Sequence, residues 1–373
     1  MTRPRILALE PYYGGSHREV LDGLVASVDA EWTLLTLPAR KWKWRMRGAA
    51  ITMAAETARM TQAQDGRRGP DRVPFDLIFA STFLNLAEFR GMVGSALSGI
   101  PAIVYFHENQ LVYPNRHTAE WDLQFPLTNI TTALCAEECV FNTSWNLDAF
   151  LEAIPGFLRE FPDHHPVGVA EMVRAKSRVI APPFDPSAFD GCPVQRGSVP
   201  RIVWPHRWEH DKNPDDFFAA VSRLAEERLD FEVAVAGQSF RDVPDTILAA
   251  EQTLGSRLVH LGPPASREAY AALLASSDVA VSTAVNEFFG IAMIEASYAG
   301  CLPLVPDRLA YTELYPAGFR YRDIDQLSSM LRSTVTNRPA PSQARRLAEA
   351  FTFDALTGEY ARLFAEVKAR GGR

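Results

Sequence analysis

Short apolar segments alternate with helical ones in two successive series along the 373 residues of this chain, and this alternation limits its possible folds. Five segments of the first half have the length and composition of buried strands: RILAL, WTLLTL, FDLIFA, PAIVYF and ECVFN. Segments with helical spacing separate them. Because buried strands that alternate with helices form parallel sheets covered on both faces, this half is predicted to be an α/β domain.

A segment rich in proline and glycine, residues 181–200, interrupts the alternation and predicts an interdomain linker. Five further apolar segments follow it: RIVWP, FEVAVAG, LVHLG, DVAVST and LPLVP. We therefore expect two Rossmann-like, doubly wound domains, at residues 1–185 and 198–350, that face a ligand cleft at the carboxyl ends of their strands. An amphipathic C-terminal helix, 352–370, is expected to pack back on the first domain.

The composition excludes several classes of protein. Hydrophobic residues make up 47% of the chain and charged residues 22%, as in ordinary soluble domains. No apolar run approaches the roughly 20 residues that span a bilayer, and the N-terminus reads as a first strand rather than a signal peptide. The four cysteines, with Cys135 and Cys139 on an expected helix, do not form a disulfide framework. We therefore expect a cytoplasmic protein without a membrane partner.

The most specific motif is NEFFGIAMIEASYAG in the second half. Glu287 is expected in a loop before a helix and Glu295 inside that helix, with Gly290 between them. This spacing lets both carboxylates approach one ligand from the same side, which suits gripping the hydroxyls of a sugar and a ribose. A helix with one solvated and one capping glutamate would give the same pattern.

A second motif, PHRWEHDKNP, follows the first strand of the second half. Arg207 offers a planar fork of donors and Lys212 a compact charge, and a helix N-terminus is expected nearby. This combination suits a diphosphate, although a solvated loop is the alternative. His206 and His210 are four residues apart, but without a helix or a third ligand they do not predict zinc.

Two motifs of the first half come directly after predicted strands. In PYYGGSHRE, Gly14 and Gly15 let the backbone approach a ligand closely. Ser16 with Glu19 forms a capping box, which predicts that a helix starts at Ser16. His107 follows the strand PAIVYF and is predicted to face the cleft, although a lone histidine is also common in structural positions.

The stretch RKWKWRMRG, residues 40–48, concentrates positive charge and indole rings in a chain whose formal net charge is -7. Cations beside stacking surfaces suit nucleic acid. The side chains predicted to make these contacts are Arg40, Lys41, Trp42, Lys43, Trp44, Arg45 and Arg47. A solvated helix face with half-buried tryptophans, or a basic amphipathic helix on a membrane, is the alternative. The polar segment 61–74 is predicted to be a loop.

Together these stretches resemble the retaining glycosyltransferases of the GT-B type. Glu287 and Glu295 match that family's two glutamates separated by seven residues, and Arg207 and Lys212 match its Arg-x4-Lys pair. The resemblance implies that Glu287 grips the donor sugar and Glu295 the ribose of the nucleotide. It also implies that the two cations clasp the donor diphosphate.

The resemblance extends into the first half. Gly14 and Gly15 fall at the family's acceptor-side glycine loop, expected here to contribute to donor binding, and His107 falls at its sugar-facing histidine. With no carboxylate nucleophile evident, front-face attack by the acceptor hydroxyl is expected, with Glu287 and His107 as catalytic residues. No catalytic metal is expected. The Asp-x-Asp sequence at 323–325 begins a late helix, where it is predicted to cap the helix rather than bind a metal.

The N-terminal half is similar to a narrower branch, the enzymes that mannosylate queuosine in tRNA. Four segments carry this likeness: LALEPYYGGSHR, RKWKWRMRGAA, YFHENQLVYP and FNTSWNLDAFL. The likeness implies transfer of mannose from GDP-mannose to queuosine in the anticodon, with Trp42 or Trp44 stacking near that base and the cations of the stretch on phosphates. Three alternatives stay open: a lipid or polysaccharide acceptor, an ADP-heptose or UDP-sugar donor, and an inactive protein that binds nucleotide or tRNA.

Overall fold

The computed structural model describes residues 3–68, 74–114, 122–238, 243–338 and 340–371. The chain divides into two compact units, which are Met1–Pro183 with Leu356–Arg373, and Phe184–Ala355. Each unit contains one six-stranded sheet. All strand pairs in both sheets are parallel, which confirms the predicted α/β class with doubly wound domains.

The first unit is built on near-continuous apolar strands, as parallel sheets covered on both faces require. Its strands are β1 (Arg5–Tyr13), β2 (Glu31–Pro38), β3 (Leu77–Ser81), β4 (Ala102–Phe106), β5 (Glu138–Phe141) and β6 (Ser177–Val179). The helices between them are α1 (Gly15–Ser27), α2 (Trp42–Arg68), α3 (Leu86–Met92), α4 (Ser95–Ser98), α5 (Gln124–Cys135), α6 (Ser144–Leu158) and α7 (Val169–Arg174). The strands lie in the order β2-β1-β3-β4-β5-β6, so the order reverses between β1 and β3.

The second unit repeats this plan. Its strands are β7 (Arg201–Trp204), β8 (Glu232–Ala236), β9 (Leu258–Gly262), β10 (Val279–Val281), β11 (Leu302–Pro306) and β12 (Arg320–Tyr321). Its helices are α8 (Ser187–Asp190), α9 (Pro214–Glu226), α10 (Asp245–Leu248), α11 (Ala250–Leu254), α12 (Arg267–Ala275), α13 (Ile291–Tyr298), α14 (Tyr311–Leu314), α15 (Ile324–Thr336) and α16 (Pro341–Ala348). The order β12-β11-β10-β7-β8-β9 reverses between β7 and β10.

The last helix, α17 (Phe353–Gly371), returns to the first unit. Tyr360 Oη donates to the carbonyl of Ala181 at 3.1 Å, and Lys368 Nζ lies 2.9 Å from a carboxylate oxygen of Asp76. These contacts attach the C-terminal helix to the residues that follow β6 and directly precede β3.

The ten strands predicted from the apolar segments are all present. Strands β6 and β12 were not predicted, because β6 is only half-buried and β12 has two residues. The expected linker at 181–200 is partly packed, since Phe184 and Phe189 are buried in the second unit. Asp323 caps α15 as predicted, accepting from the backbone N–H of Gln326 at 2.8 Å.

Two helix boundaries were predicted wrongly. Helix α1 begins at Gly15, whose φ is +52°, so Ser16 lies inside the first turn and no side chain caps the helix. The loop predicted at 61–74 is wrong up to Arg68, where α2 ends, and residues 69–73 lie outside the described part of the chain. Gln, Ala and Arg in this segment are good helix formers, and its one glycine does not end the helix.

Candidate active site

The residues predicted to bind the donor follow strands at the point where the strand order of the second unit reverses. In an open α/β sheet, ligands bind outside the carboxyl ends of the strands at such a point. The segment that follows β7 carries Arg207 and Lys212, and the segment that follows β10 carries Glu287 and Gly290. The fold therefore brings residues of two separate motifs to one edge of the sheet.

Lys212 lies at the junction of these two segments and is only 6% exposed. Its Nζ donates to the carbonyl of Asn286 at 2.8 Å and to Oε2 of Glu287 at 3.3 Å, and lies 3.1 Å from Oδ2 of Asp211. Burial lowers the pKa of Lys212, but the negative charges of Glu287 and Asp211 outweigh it, and the net pKa is raised. The ammonium therefore stays charged and fixes the position of the Glu287 carboxylate.

Arg207 has different surroundings. Its side chain is 53% exposed and forms an ion pair with Glu209 at 3.2 Å. An exposed guanidinium can turn toward phosphate oxygens, whereas a buried ammonium must be approached by the ligand. His206 is buried, and burial followed by the charge of Lys212 lowers its pKa to about 3, so it is neutral.

Glu295 is held by a second cation. It is buried inside α13 and forms an ion pair with Arg267, in the first turn of α12. The Arg267 guanidinium also lies 5.0 Å from the ring centre of Phe189 and 5.6 Å from that of Tyr270. Each of the two predicted carboxylates therefore contacts a different cation. Aromatic rings orient Arg267, the cation that pairs with Glu295.

Gly290 has a conformational role. It precedes α13 with a φ of +86°, which side chains rarely adopt. A Cβ atom added there would lie 2.9 Å from the ring of Tyr311, whose hydroxyl donates to Ser282 Oγ at 2.8 Å. Glycine is therefore required to start α13 at this point, just after Glu287.

In the first unit, the two predicted glycines behave differently. The strand order reverses between β1 and β3, and both glycines follow β1. A Cβ atom at Gly14 would lie 2.4 Å from Cβ of Ala39, so Gly14 allows the chain after β2 to pass close by. A Cβ atom at Gly15 would meet no atom within 4 Å, so Gly15 borders open space that a ligand can enter.

A buried polar cluster beside these glycines was not predicted. Oε2 of Glu10 lies 3.2 Å from Nδ1 of His17, and Oε1 accepts from Ser81 Oγ at 2.9 Å. The other ring nitrogen of His17 lies 3.4 Å from Oε2 of Glu108. Burial lowers the pKa of His17, but the two carboxylates outweigh it and raise the pKa to about 10. His17 is therefore a cation held between two carboxylates.

His107, predicted to face the ligand, lies against this cation. The ring centres of His107 and His17 are 4.0 Å apart. Burial and then the charge of His17 lower the pKa of His107 well below its usual range, so His107 is neutral at physiological pH. A neutral imidazole can both donate and accept a hydrogen bond, which suits contact with a hydroxyl.

Glu10, His17 and His107 are the one group among the described residues whose side chains could hold a metal ion, with ligand atoms within 4.8 Å of one another. A metal needs a lone pair on each imidazole. Both nitrogens of the protonated His17 donate to carboxylates, so the cluster fits an ion pair better than a metal.

The sequence carried signals for the residues that were missed. Glu10 is a carboxylate inside an otherwise apolar strand, and buried charges mark partners or sites. His17 and Glu108 each lie within a few residues of a predicted position. Arg267 stands in the first turn of a helix, where the macrodipole disfavours a cation, so another contact must hold it there.

The tryptophan-basic stretch forms the start of α2, and its two indoles have different surroundings. Trp42 is half-buried, with its ring centre 5.0 Å from that of Phe125. It packs with a small apolar cluster that contains Met46 and Phe83. Trp44 is 62% exposed. Since Phe83 also lies 5.3 Å from the ring of His17, this cluster joins α2 to the polar group around His107.

The five cations of the stretch also differ. Arg40, Lys41 and Lys43 are exposed. Arg47 forms an ion pair with Asp122, and Arg45 donates to the carbonyl of Pro38 at 3.1 Å. The first three therefore offer their charge to a ligand more readily than the last two.

Comparison with known proteins identifies the family of both parts of the chain. The family description "tRNA-queuosine alpha-mannosyltransferase N-terminal" matches residues 5–184, and "Glycosyl transferases group 1" matches residues 195–345. A GDP-mannose-dependent alpha-(1-6)-phosphatidylinositol dimannoside mannosyltransferase of Mycobacterium tuberculosis is 28% identical over 53% of this chain and 52% of its own. Within the described residues, no helix is long and apolar enough to cross a membrane.

Solved structures share the fold. Sucrose-phosphate synthase from Thermosynechococcus elongatus superposes with a TM-score of 0.66 at 14% identity, covering 99% of this chain and 100% of that one. Anabaena HepE in complex with UDP and glucose gives 0.66 at 16% identity over 98% and 100%. The tRNA-queuosine alpha-mannosyltransferase of Drosophila melanogaster is 34% identical over 96% of this chain and 94% of its own length. The chain belongs to the tRNA-queuosine alpha-mannosyltransferase family.

Proposed function

We propose that this protein transfers mannose from GDP-mannose to queuosine in the anticodon of tRNA, with retention of configuration. The observation that carries the proposal is the similarity to an enzyme named for this reaction, which extends over 96% of this chain. The Mycobacterium relative, named as GDP-mannose-dependent, supports the choice of donor. With tRNA as the acceptor, we propose that the reaction takes place in the cytoplasm.

The donor-side residues suit a nucleoside diphosphate sugar. Arg207 and Lys212 would hold the diphosphate, and their positive charge would stabilise the negative charge that develops on the departing GDP. Glu287 would accept hydrogen bonds from mannose hydroxyls, and Glu295, oriented by Arg267, from the ribose. Because these cations can neutralise the leaving group, we expect the reaction to need no catalytic metal.

The transfer step would be a front-face substitution. The bond from the anomeric carbon to the phosphate oxygen breaks, and a queuosine hydroxyl bonds to the same face of that carbon. The hydroxyl proton passes to the departing phosphate oxygen, so no carboxylate nucleophile is needed. The neutral His107 would position the sugar or the acceptor by a hydrogen bond, and the cation His17 beside it would keep it neutral.

A direct assay tests this function. Purified protein is incubated with radiolabelled GDP-mannose and total tRNA that contains or lacks queuosine, with UDP-glucose and an ADP-heptose in parallel. Label from GDP-mannose alone, recovered in a queuosine nucleoside that has gained the mass of one hexose, is the expected result. Equal labelling of tRNA that lacks queuosine, or label found only in a lipid extract, would refute the proposal.

A further inference from the structure

We infer that Trp44, held in place by Gly48, is the side chain on which a nucleobase of the tRNA stacks, and that Trp42 is not. This inference rests on the proposed tRNA acceptor. It adds the residue that makes the contact and the reason for its orientation.

Trp42 exposes less of its ring than Trp44 does. It is half-buried against Phe125, packs with Met46 and Phe83, and carries the ammonium of Lys43 5.8 Å from its ring centre. A base that stacked on Trp42 would have to displace these neighbours. The position of Trp42 is that of a residue which fixes the start of α2 to the rest of the unit.

Trp44 has the opposite surroundings, and a glycine explains them. A Cβ atom built on Gly48 would lie 2.8, 2.9 and 3.0 Å from Cζ2, Cε2 and Cη2 of the Trp44 indole. The indole therefore rests on the bare backbone of Gly48, one helical turn further on, while 62% of Trp44 remains exposed. Glycine inside a helix costs stability relative to alanine, so its presence here implies a use.

The charges around Trp44 suit a polyanion. Arg40, Lys41 and Lys43 are exposed at the same end of α2, within four residues of Trp44. Single-stranded nucleic acid is commonly bound by cations that follow its backbone together with aromatic rings on which bases stack. An unpaired base of the anticodon loop offers both contacts at once.

A lipid surface fits this helix less well. The apolar residues of α2 that an interfacial helix would insert are buried in the core of the unit: Met46, Ala49, Ala50, Met53 and Ala54. Among residues 42–61 the large exposed apolar side chains are Trp44 and Ile51. Two side chains are a small area for membrane binding, which scales with buried apolar surface.

The test compares Trp44→Ala and Gly48→Ala with wild type and with Gly358→Ala. Gly358 is also helical, and a Cβ atom there meets no atom within 4 Å, so this control adds helix propensity without moving a side chain. The dissociation constant for queuosine-containing tRNA is measured by filter binding over a salt titration, and thermal stability is measured in parallel.

We expect Trp44→Ala to weaken tRNA binding roughly 5- to 150-fold, the equivalent of one lost base stack. The slope of log K against log salt should stay as in wild type, because no phosphate contact is lost. Gly48→Ala should weaken binding in the same direction without loss of thermal stability, because the added methyl group displaces the indole. Gly358→Ala should bind as wild type does.

Wild-type affinity in Trp44→Ala would overturn the inference, while tRNA binding by the wild-type protein would leave the proposed function intact. Wild-type affinity in Gly48→Ala would overturn the role of the glycine. A wild-type protein that ignores tRNA would refute the proposed function itself. Binding of wild type but not Trp44→Ala to phosphatidylglycerol vesicles, with no effect on tRNA, would assign the surface to a membrane.

Discussion

The residues proposed to bind the donor and those proposed to bind the acceptor, called here the donor side and the acceptor side, differ in how their charges are held. On the donor side, Lys212 is buried against Glu287, and Glu295 is buried against Arg267. On the acceptor side, most charges of the tryptophan-basic stretch are exposed. A small ligand of fixed shape is suited to preorganised, buried ion pairs, whereas a long polyanion is suited to accessible charges. Substitutions should therefore affect both stability and chemistry on the donor side, and mainly affinity in the stretch.

The largest effect is expected for Glu287→Ala. The loss of its contact with the sugar should lower the rate at saturating donor by more than about 100-fold, comparable to removal of one preorganised group from an active site. Lys212 keeps Asp211 as a partner, so the variant should still fold, with a circular dichroism spectrum that matches wild type and a lower free energy of unfolding. Glu227→Ala removes a surface ion pair with Arg332 and serves as the control. Near-normal turnover in Glu287→Ala would show that the carboxylate pair is misassigned.

Alanine variants of Lys212 and Arg207 compare the loss of a buried charge with the loss of an exposed one. Lys212→Ala leaves Glu287 and Asp211 without their buried partner and should cost on the order of 3 kcal/mol in the free energy of unfolding, besides weakening donor binding. Arg207→Ala should weaken donor binding and cost less in the free energy of unfolding than Lys212→Ala, because the Arg207 side chain is 53% exposed. Urea unfolding and calorimetric titration with GDP measure the two quantities. If Lys212→Ala and Arg207→Ala lost the same free energy of unfolding, the proposed difference between buried and exposed charge would be wrong.

The sequence could predict motifs whose residues are close together in the chain, but not contacts between distant segments. The donor motif has Glu287 and Glu295 eight residues apart, so local spacing was enough to find it. Their partners come from other segments: Lys212 lies 75 residues before Glu287 and Arg267 lies 28 before Glu295. Lys212 was found as a motif residue, but neither pairing was predicted, because only the fold brings these segments together.

The acceptor side shows the same limit. The strand RILAL was evident from its apolar run, but the link from His17 to Glu108 spans 91 residues. The exposure of Trp44 and the burial of Trp42 depend on which face of α2 packs against Phe125. Neighbouring sequence gave no preference between the two tryptophans, since both stand in the same basic run.

Charge neutralisation in the stretch should change salt dependence before it changes stability. Replacing Arg40, Lys41 and Lys43 together by glutamine should raise the KM for tRNA and lower the salt slope by up to about three units, one per lost phosphate contact. Replacing Arg45 and Arg47 should change the slope less and the melting temperature more, because these two make internal contacts. The two variants are compared by measuring the KM for tRNA at salt concentrations from about 50 to about 200 mM. An unchanged slope in the triple variant would remove the electrostatic argument for RNA.

His17 should give the first unit a pH-dependent stability. Its folded pKa is raised from 6.5 to about 10, so its contribution is fully present below pH 6.5 and is lost as pH rises through about 10. The difference in unfolding free energy between wild type and His17→Gln should be on the order of a few kcal/mol at pH 6 and shrink steadily toward pH 10. Taking the difference cancels the titration of groups that do not contact His17. A difference that is constant over this range would mean that His17 is neutral in the folded protein.

The smallest effects are expected for the thiols and for metal removal. Burial raises the pKa of Cys139 and of Cys301 to about 12, so both are protonated thiols that neither attack a substrate nor bind a metal as thiolates. Cys135 and Cys139 were expected on one helix. This is wrong, and it conflicts with the strand predicted for ECVFN, because Cys135 ends α5 and Cys139 lies in β5. Replacing all four cysteines by alanine should cost some stability at the two buried positions and leave kcat within about twofold of wild type.

Activity should also survive dialysis against EDTA, because the cations Arg207 and Lys212 can neutralise the leaving diphosphate. Loss of activity that added Mg²⁺ or Zn²⁺ restores would instead assign that charge to a metal, and metal analysis of the dialysed protein would then identify it.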